Sequence, residues 1–245
     1  MRTFKHLILA VLIAVCGNAL ACTNFLIIRG TLNGHEWVDL GLPSGTLWAT
    51  CNVGATCPEE FGDYFAWGET EPQDSNAYNF SSYKYANGNY WGNPKITKYC
   101  NKSRYGDKGF CDTIICLSRE DDAAAANWGK GWRMPTKEEL KELKDFCEWN
   151  WTNQNGVDGL VFKAPNGNSI FLPATGYRCD RAICHKGNNC FYWSSTLHKG
   201  YPYSAWGLYL FSLKEIPKPE VYNSNRCNGF AVRPVCSRRH CDTVD

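Results

Sequence analysis

Three short motifs constrain the fold of this 245-residue chain more than any other feature. Residues 191–196 read FYWSST, and residues 229–235 read GFAVRPV. Upstream of both, residues 132–140 read WRMPTKEEL. We interpret the first two motifs as strands, the second of which closes the fold, and the third as the entry to a helix. A helix followed by strands of this kind predicts a mixed structure.

These motifs, with residues 38–50 (VDLGLPSGTLWAT), resemble the Fibrobacter succinogenes major paralogous domain, a family of secreted bacterial modules. The resemblance covers most of residues 35–236. It implies an α+β fold similar to C-type lectin domains and to the formylglycine-generating enzyme, with small antiparallel sheets, two helices and long irregular loops. It also implies a surface-exposed binding role, because a rigid sheet can hold binding loops in place.

Local patterns predict the same class of structure. Thr136 and Glu139 form a capping box, after which Leu140, Leu143 and Phe146 mark one face of a helix. Asp121 or Asp122 precedes four alanines and is expected to cap a second, shorter helix.

Strands are predicted on both sides of a turn and near the C-terminus. Residues 160–164 and 169–172 flank the sequence PNGN, which is typical of a hairpin turn. Residues 206–211 alternate in the manner of a strand. With no linker and no repeat, one α+β domain is the simplest interpretation.

The N-terminus has the pattern of a secretory signal peptide. Arg2 and Lys5 precede a short apolar run, and residues 19–21 (ALA) supply a cleavage site. Cys22 would then be the first residue, where a lipoprotein carries its lipid, so a lipid anchor and free secretion both stay open. The predicted division is a signal peptide (1–21), a tether or edge segment (22–34), the main domain (35–237) and a tail (238–245).

The chain has 14 cysteines, of which twelve remain once Cys16 leaves with the signal peptide and Cys22 is lipidated. An exported protein can keep disulfides, and we expect several short-range bonds here. Zinc would require C-x-x-C spacing, which none of the close pairs has. Those pairs are Cys51/Cys57, Cys111/Cys116, Cys179/Cys184 and Cys236/Cys241.

Net charge and composition exclude nucleic acid as a partner. The formal net charge is +2, and the one basic cluster, residues 238–240, is too short to follow a phosphate backbone. Aromatic residues are abundant instead, with ten Trp, thirteen Tyr and twelve Phe. Some of these rings must reach the surface of a domain of this size.

Enzyme motifs are absent from the sequence, which has no G-x-S-x-G, H-E-x-x-H, Walker or G-x-G-x-x-G element. Ser194 and Ser195 lie in a predicted strand, where their hydroxyls are expected to bond to backbone, and His198 nearby does not by itself make a catalytic pair. One alternative follows from the resemblance. Cys179 and Cys184 are similar to the copper-binding thiols of the formylglycine-generating enzyme, although here they precede the YWSS strand rather than follow it.

The C-terminal half instead has the composition of a recognition surface. Tyr supplies rigid contact area, and Asn and Ser supply adaptable hydrogen bonds. Tyr192 and Tyr209 belong to this composition, but they alternate within strands, so a half-buried place in the core is the alternative for them. We therefore predict that an extracellular glycan or protein is bound without a cofactor by Tyr201, Tyr203, Tyr222, Asn223, Asn225 and Arg226.

Two further observations concern this surface. The Asn- and Tyr-rich segment, residues 187–228, is similar to the C-terminal regions of variable proteins of diversity-generating retroelements. Those proteins share the fold, and their C-terminal regions are rich in Asn, Tyr and Ser. Motifs for calcium-dependent sugar binding are missing, since residues 220–223 (EVYN) match them only loosely. A structural surface module without a specific ligand is the remaining alternative.

Overall fold

A computed structural model describes residues 29–73, 78–88, 93–211 and 218–238. The predicted signal peptide, the proposed lipidation site Cys22 and most of the predicted tail lie outside the described residues. Among those residues, no helix is long and apolar enough to span a membrane.

Small antiparallel sheets dominate the described part of the chain, which contains fifteen strands and two α-helices. The helices are α1 (Ala123–Trp128) and α2 (Lys137–Phe146). The strands are β1 (Arg29–Leu32), β2 (His35–Asp39), β3 (Thr46–Ala49), β4 (Ala86–Asn87), β5 (Lys95–Ile96), β6 (Trp132–Arg133), β7 (Glu148–Gln154), β8 (Val157–Lys163), β9 (Ser169–Pro173), β10 (Tyr177–Cys179), β11 (Ala182–Cys184), β12 (Asn189–Leu197), β13 (Ser204–Phe211), β14 (Glu220–Asn225) and β15 (Val235–Ser237).

The first and last strands share one sheet. Its order is β1-β2-β3-β15-β6, so the C-terminal strand β15 lies between β3 and β6. β1 forms an edge of this sheet and begins at Arg29. The other sheets are β7-β8-β9, β12-β13-β14, β4-β5 and β10-β11. The chain is therefore an α+β protein, as predicted, in which the terminal strands close the domain.

Strands β12 and β13 separate two hydrophobic clusters. Every residue of β12 is buried, because both faces of the strand are covered. Phe191 and Trp193 contribute to the aromatic cluster on one face, and Cys190 and Tyr192 to the aliphatic cluster on the other. Successive side chains of a strand point to opposite faces, so one strand can serve both clusters.

The predicted N-terminal caps of both helices are confirmed. The Thr136 hydroxyl accepts the Glu139 N–H, the Glu139 carboxylate accepts the Thr136 N–H, and α2 begins at the next residue. Asp122, rather than Asp121, caps α1 by accepting the Ala125 N–H at 3.0 Å.

The predicted inner face of α2 was wrong at its last position. Leu140 and Leu143 are buried, whereas Phe146 is 53% exposed. A helix turns by about 100° per residue, so two successive three-residue steps place Phe146 about 120° away from Leu140. The ring therefore projects beyond the face that packs on the sheets.

Most of the strand predictions are confirmed. β8 pairs with β9 around the turn at residues 164–168, β12 contains the FYWSST motif, and β13 contains the whole alternating segment 206–211. The strand predicted over residues 229–235 is wrong in its extent, because Gly229, Phe230 and Ala231 form only isolated bridges and β15 begins at Val235. Trp48, Trp67 and Trp132 are core residues, at most 2% exposed. Tyr192 and Tyr209 are buried as well, which is the core placement considered for them.

Candidate functional site

The register of β13 and β14 divides the predicted binding residues between two faces. Tyr222 pairs with Gly207, and Asn223 pairs with Trp206. Because neighbouring residues of a strand point in opposite directions, Tyr222 and Asn223 cannot contribute to one patch. Tyr222 is 62% exposed, and its ring lies 6.2 Å from that of Tyr209.

Tyr201 lies in the loop between β12 and β13 and is 44% exposed, as expected. Its ring lies 5.7 Å from that of Tyr105, and the Arg104 guanidinium lies 4.6 Å from the centre of the Tyr105 ring. Tyr201 thus forms part of a small aromatic surface that is separate from Tyr222.

The exposure predicted for Tyr203 was wrong. Tyr203 is 9% exposed, and its hydroxyl donates to the Pro94 carbonyl at 2.6 Å. Its ring packs edge-on against Phe80 and Tyr105. The preceding Pro202 indicated a loop, but the loop folds back on the aromatic cluster, so the ring is a core residue.

Arg226, also predicted to contact ligand, is fully buried. Its guanidinium donates to the Tyr83 hydroxyl and to the carbonyls of Lys98, Tyr99 and Pro202, at 2.9–3.1 Å. The group also lies 4.7 Å from the Trp67 ring. These contacts use four of its five N–H donors. Arg226 therefore holds loops together and is not available to a ligand in this conformation.

Asn225 is the predicted residue that borders a large open cleft of about 470 Å³. We call it the tyrosine–asparagine cleft. It lies where the β10–β11 hairpin, the segment after residue 77 and the turn after β14 meet. Its lining consists of Tyr78, Asn79, Ser81, Tyr177, Cys179, Asp180, Asn225, Cys227 and Asn228.

Two isolated backbone bridges build the cleft. Tyr78 and Asp180 exchange N–H···O bonds of 2.9 and 3.1 Å, and Arg178 and Gly229 exchange bonds of 2.8 and 2.9 Å. A Cβ at Gly229 would lie 2.5 Å from the Tyr78 ring. Glycine is therefore required where the turn after β14 passes the tyrosine.

The cleft offers neutral polar groups beside aromatic rings. The Asn79 amide donates to the Asp180 carboxylate at 2.8 Å, and the Asn228 amide donates to the Ser224 hydroxyl at 3.0 Å. Tyr177 is half-buried and packs on Phe191 with ring centres 4.8 Å apart. Fixed amides and ring faces of this kind can hydrogen-bond a polar ligand and pack against its apolar surface.

Tyr222 lies on the cleft side of β14. By strand alternation it shares a face with Ser224, the hydroxyl that receives the Asn228 amide. By the same alternation Asn223 and Asn225 lie on the other face, and Asn225 borders the cleft at the end of the strand. Of the six predicted residues, only Asn225 is among the described lining of the cleft, Tyr222 lies on the face next to the cleft residue Asn228, and Tyr201 and Asn223 lie elsewhere.

The cleft residues that sequence reasoning missed come from distant parts of the chain. Tyr78, Asn79 and Tyr177 precede β14 by many residues, and tertiary contacts that include the two backbone bridges bring them together. Asn228 could have been found, because it is the last residue of the Asn- and Tyr-rich segment 187–228.

The two thiols of the copper hypothesis lie diagonally in the β10–β11 hairpin. Cys179 pairs with Ala182, and Cys184 pairs with Tyr177. Diagonal neighbours lie about 7–8 Å apart, with their Cβ atoms somewhat closer, compared with a Cβ separation of about 4 Å in a disulfide. Burial, followed by Asp180 and Cys184, raises the pKa of the Cys179 thiol.

Within the described ranges, no three His, Cys, Asp or Glu side chains cluster as metal ligands. All eleven cysteines of that part of the chain carry free thiols. The predicted disulfides therefore stay a prediction.

The serines near the YWSS motif have structural partners. Ser194 Oγ donates to the Trp206 carbonyl at 2.7 Å, and Ser195 Oγ donates to the Pro135 carbonyl at 3.3 Å. His198 Nδ1 accepts the Tyr201 N–H at 3.0 Å. The hydroxyls bond to backbone, as the sequence predicted.

Comparisons with protein families, curated proteins and solved structures found no match to this chain. The geometry of the cleft, the surrounding surface and the sequence are therefore the basis for a functional proposal.

Proposed function

We propose that this chain is an exported bacterial binding module with a C-type lectin-like fold. It recognises an extracellular glycan or protein through the tyrosine–asparagine cleft and the adjoining face of β14. The observation that carries the proposal is the cleft itself, an open space of about 470 Å³ bordered by tyrosine rings and asparagine amides. Pockets of this volume and mixed lining are typical of ligand sites.

Three features support the proposed fold. The terminal strands β1–β3 and β15 lie in one sheet, two helices flank the sheets, and short strands alternate with long irregular loops between β3 and α1. A C-type lectin-like domain combines the same features. The three sequence motifs occupy β12, the approach to β15, and the β6–α2 segment.

Export is supported by the sequence of residues 1–21. A basic start, a short apolar run and a small-residue cleavage site together form a secretory signal. A protein with this signal peptide binds its ligand outside the cytoplasm. Lipid attachment at Cys22 would hold the module at the outer membrane surface, whereas its absence would release the module.

A glycan array and a peptide-display screen on the exported protein would test the proposal. Once a ligand is found, Asn225→Ala, Asn228→Ala and Tyr222→Ala should each lower the affinity for it. The variant with the largest effect should lose at least about tenfold. The reason is that amides and rings at the centre of a site carry most of its binding energy.

Asn150→Ala is the matched control, because Asn150 is exposed on β7 and borders no cleft residue by sequence or strand pairing. It should leave affinity and melting temperature unchanged. Equal affinity in all four variants would mean that the binding site lies outside the cleft. Failure of every screen would favour a structural surface module.

The copper alternative has its own test. Copper would be titrated into the reduced protein and measured by elemental analysis, with Cys179→Ser as the comparison. Stoichiometric copper that is lost in Cys179→Ser would support an oxidase-type site. The diagonal positions of the two thiols argue against it, since both would have to move to share one ion.

A further inference from the structure

A cationic surface lies on the face of β14 opposite Tyr222. Helix α2 packs across β12, β13 and β14 there, and Trp206 projects from β13 beside Asn223 of β14. We call this surface the indole–lysine patch. It consists of Lys102, Lys137, Lys141, Lys199, His198 and Trp206.

The indole at its centre positions two of the basic groups. Lys137 Nζ lies 3.2 Å from the centre of the Trp206 ring, a cation–π contact. The His198 ring centre is 4.8 Å from that of Trp206. Both groups are half-buried, so their geometry is fixed before any ligand arrives.

The surrounding loops place two more lysines at the edge of the patch. Lys102 Nζ donates to the Gly200 carbonyl at 2.7 Å, and the Asn101 amide donates to the Lys199 carbonyl at 2.9 Å. The segment at residues 101–102 is thereby fastened to the loop that carries His198 and Lys199. Lys141 lies one helical turn after Lys137, on the same side of α2.

None of these four lysines forms an ion pair with a carboxylate among the residues that the structure describes. Glu138 raises the pKa of Lys137, whereas Lys141 and Lys199 lower it. The basic groups of the patch therefore repel one another.

The basic groups lie close enough to influence one another's ionisation. Burial, then Lys141 and Lys199, lower the pKa of Lys137. Burial and the charges of Lys137 and Lys102 lower the pKa of His198. An anion placed at the patch would relieve this repulsion and favour the charged form of each group.

Neutral donors lie beside the charges. His198 Nδ1 accepts the Tyr201 N–H, so the proton of the neutral ring is on Nε2, which is a donor. The Asn223 amide lies opposite Trp206 on the same sheet face. A ligand that carries hydroxyl groups next to each negative charge would match this arrangement.

We propose that the indole–lysine patch binds an acidic polysaccharide whose sugars carry carboxylate or sulfate groups. Four lysines around one indole make too small a surface to follow a nucleic acid backbone. An acidic peptide carries no hydroxyl beside each charge, so the neutral donors favour the polysaccharide. This site is distinct from the tyrosine–asparagine cleft, because none of its six residues lines the cleft.

Binding of heparin (sulfated), polygalacturonate (carboxylated), dextran (neutral) and polyglutamate (acidic peptide) to the full-length protein would test the proposal. We expect at least one acidic polysaccharide to bind, dextran to fail, and affinity to fall steeply between about 50 and 300 mM salt because exposed charges are screened. No binding of either acidic polysaccharide, or tighter binding of polyglutamate, would overturn the proposal.

The combined variant K137Q, K141Q and K199Q should weaken binding of the polysaccharide by about thirtyfold, roughly threefold for each charge removed. The matched control is K108Q, K130Q and K163Q, which removes the same charge from exposed positions outside the patch. Equal losses in both variants would mean that net charge, rather than the patch, attracts the polymer. Asn225→Ala should leave this binding unchanged, which separates it from binding at the cleft.

Discussion

At the residue scale, burial separates the tyrosines that the sequence grouped together. Tyr203 is a core residue with a hydrogen-bonded hydroxyl, whereas Tyr201 and Tyr222 are exposed. Tyr203→Ala should therefore destabilise the protein by about 3–4 kcal/mol, comparable to truncation of Trp48 or Trp67. Tyr201→Ala and Tyr222→Ala should each change stability by no more than about 0.5 kcal/mol.

Thermal and urea unfolding of the single variants would check this prediction. Trp48→Ala serves as the reference for a fully buried ring, since Trp48 is 0% exposed. If Tyr222→Ala unfolded as readily as Trp48→Ala, the Tyr222 ring would have to be buried in solution. The face of β14 next to the cleft would then not be open to a ligand.

A second residue-scale prediction concerns the carboxyl group of Asp121. Burial raises its pKa, but hydrogen bonds from Lys98, Tyr85 and Tyr99 outweigh burial and lower it from 3.8 to about 2. The ion pair with Lys98 is 2.5 Å long, and the Asp121 side chain is nearly inaccessible. The folded state thus holds the charged form more tightly than the unfolded chain does.

The sign of the pH effect follows from this shift. Because the folded pKa is the lower one, the stabilisation is complete above pH 3.8 and disappears as the pH falls towards 2. It amounts to about 2 kcal/mol at neutral pH. Urea unfolding between pH 2 and 6 should show wild type and Asp121→Asn converging as the pH falls, with Asp158→Asn following wild type. Parallel curves for wild type and Asp121→Asn would contradict the assignment.

At the element scale, the entry to α2 joins a helix cap to an ion pair. Glu139 accepts the Thr136 N–H, the Thr46 hydroxyl at 2.6 Å and both terminal nitrogens of Arg133. Thr136→Ala removes the other half of the capping box and should cost about 1 kcal/mol. Denaturant unfolding would measure the loss.

Ser103→Ala is a suitable control for the cap, because Ser103 is exposed and begins a short 3-10 helix without side-chain capping. Its unfolding free energy should match that of wild type. A Thr136→Ala variant as stable as this control would mean that the Arg133–Glu139 pair alone holds the start of α2.

The elements show how far the sequence predicts the structure. Caps, turns and alternation depend on neighbours in the chain, so α2, the β8–β9 hairpin and β13 could be predicted. The binding residues could not, because composition does not tell which face of β14 a residue takes or that a proline-flanked loop folds inward at Tyr203. The cleft itself depends on bridges between residues about 100 positions apart, Tyr78 and Asp180.

At the scale of the whole molecule, the thiols of the described chain differ in burial, and two of them, Cys179 and Cys184, lie in the β10–β11 hairpin. Five cysteines of the described chain are buried, and burial raises the pKa of Cys147 and of Cys227 to about 12. A thiol reacts as its thiolate, so these groups are protected from oxidation. Others lie in irregular segments near the surface, namely Cys51, Cys57, Cys111 and Cys116.

We therefore predict that the protein, once exported as proposed, forms at least two short-range disulfides, Cys51–Cys57 and Cys111–Cys116, while Cys147 and Cys190 stay reduced. Both pairs lie in loops that can adjust to the required Cβ separation, and exported proteins meet oxidising conditions. Each bond would close a loop of about six residues and stabilise the fold by about 2 kcal/mol. Alkylation of the unreduced, denatured protein followed by mass spectrometry would identify the free thiols. Labelling of ten or more of them would contradict the prediction, and protection of Cys147 or Cys190 would show that the cores open before oxidation.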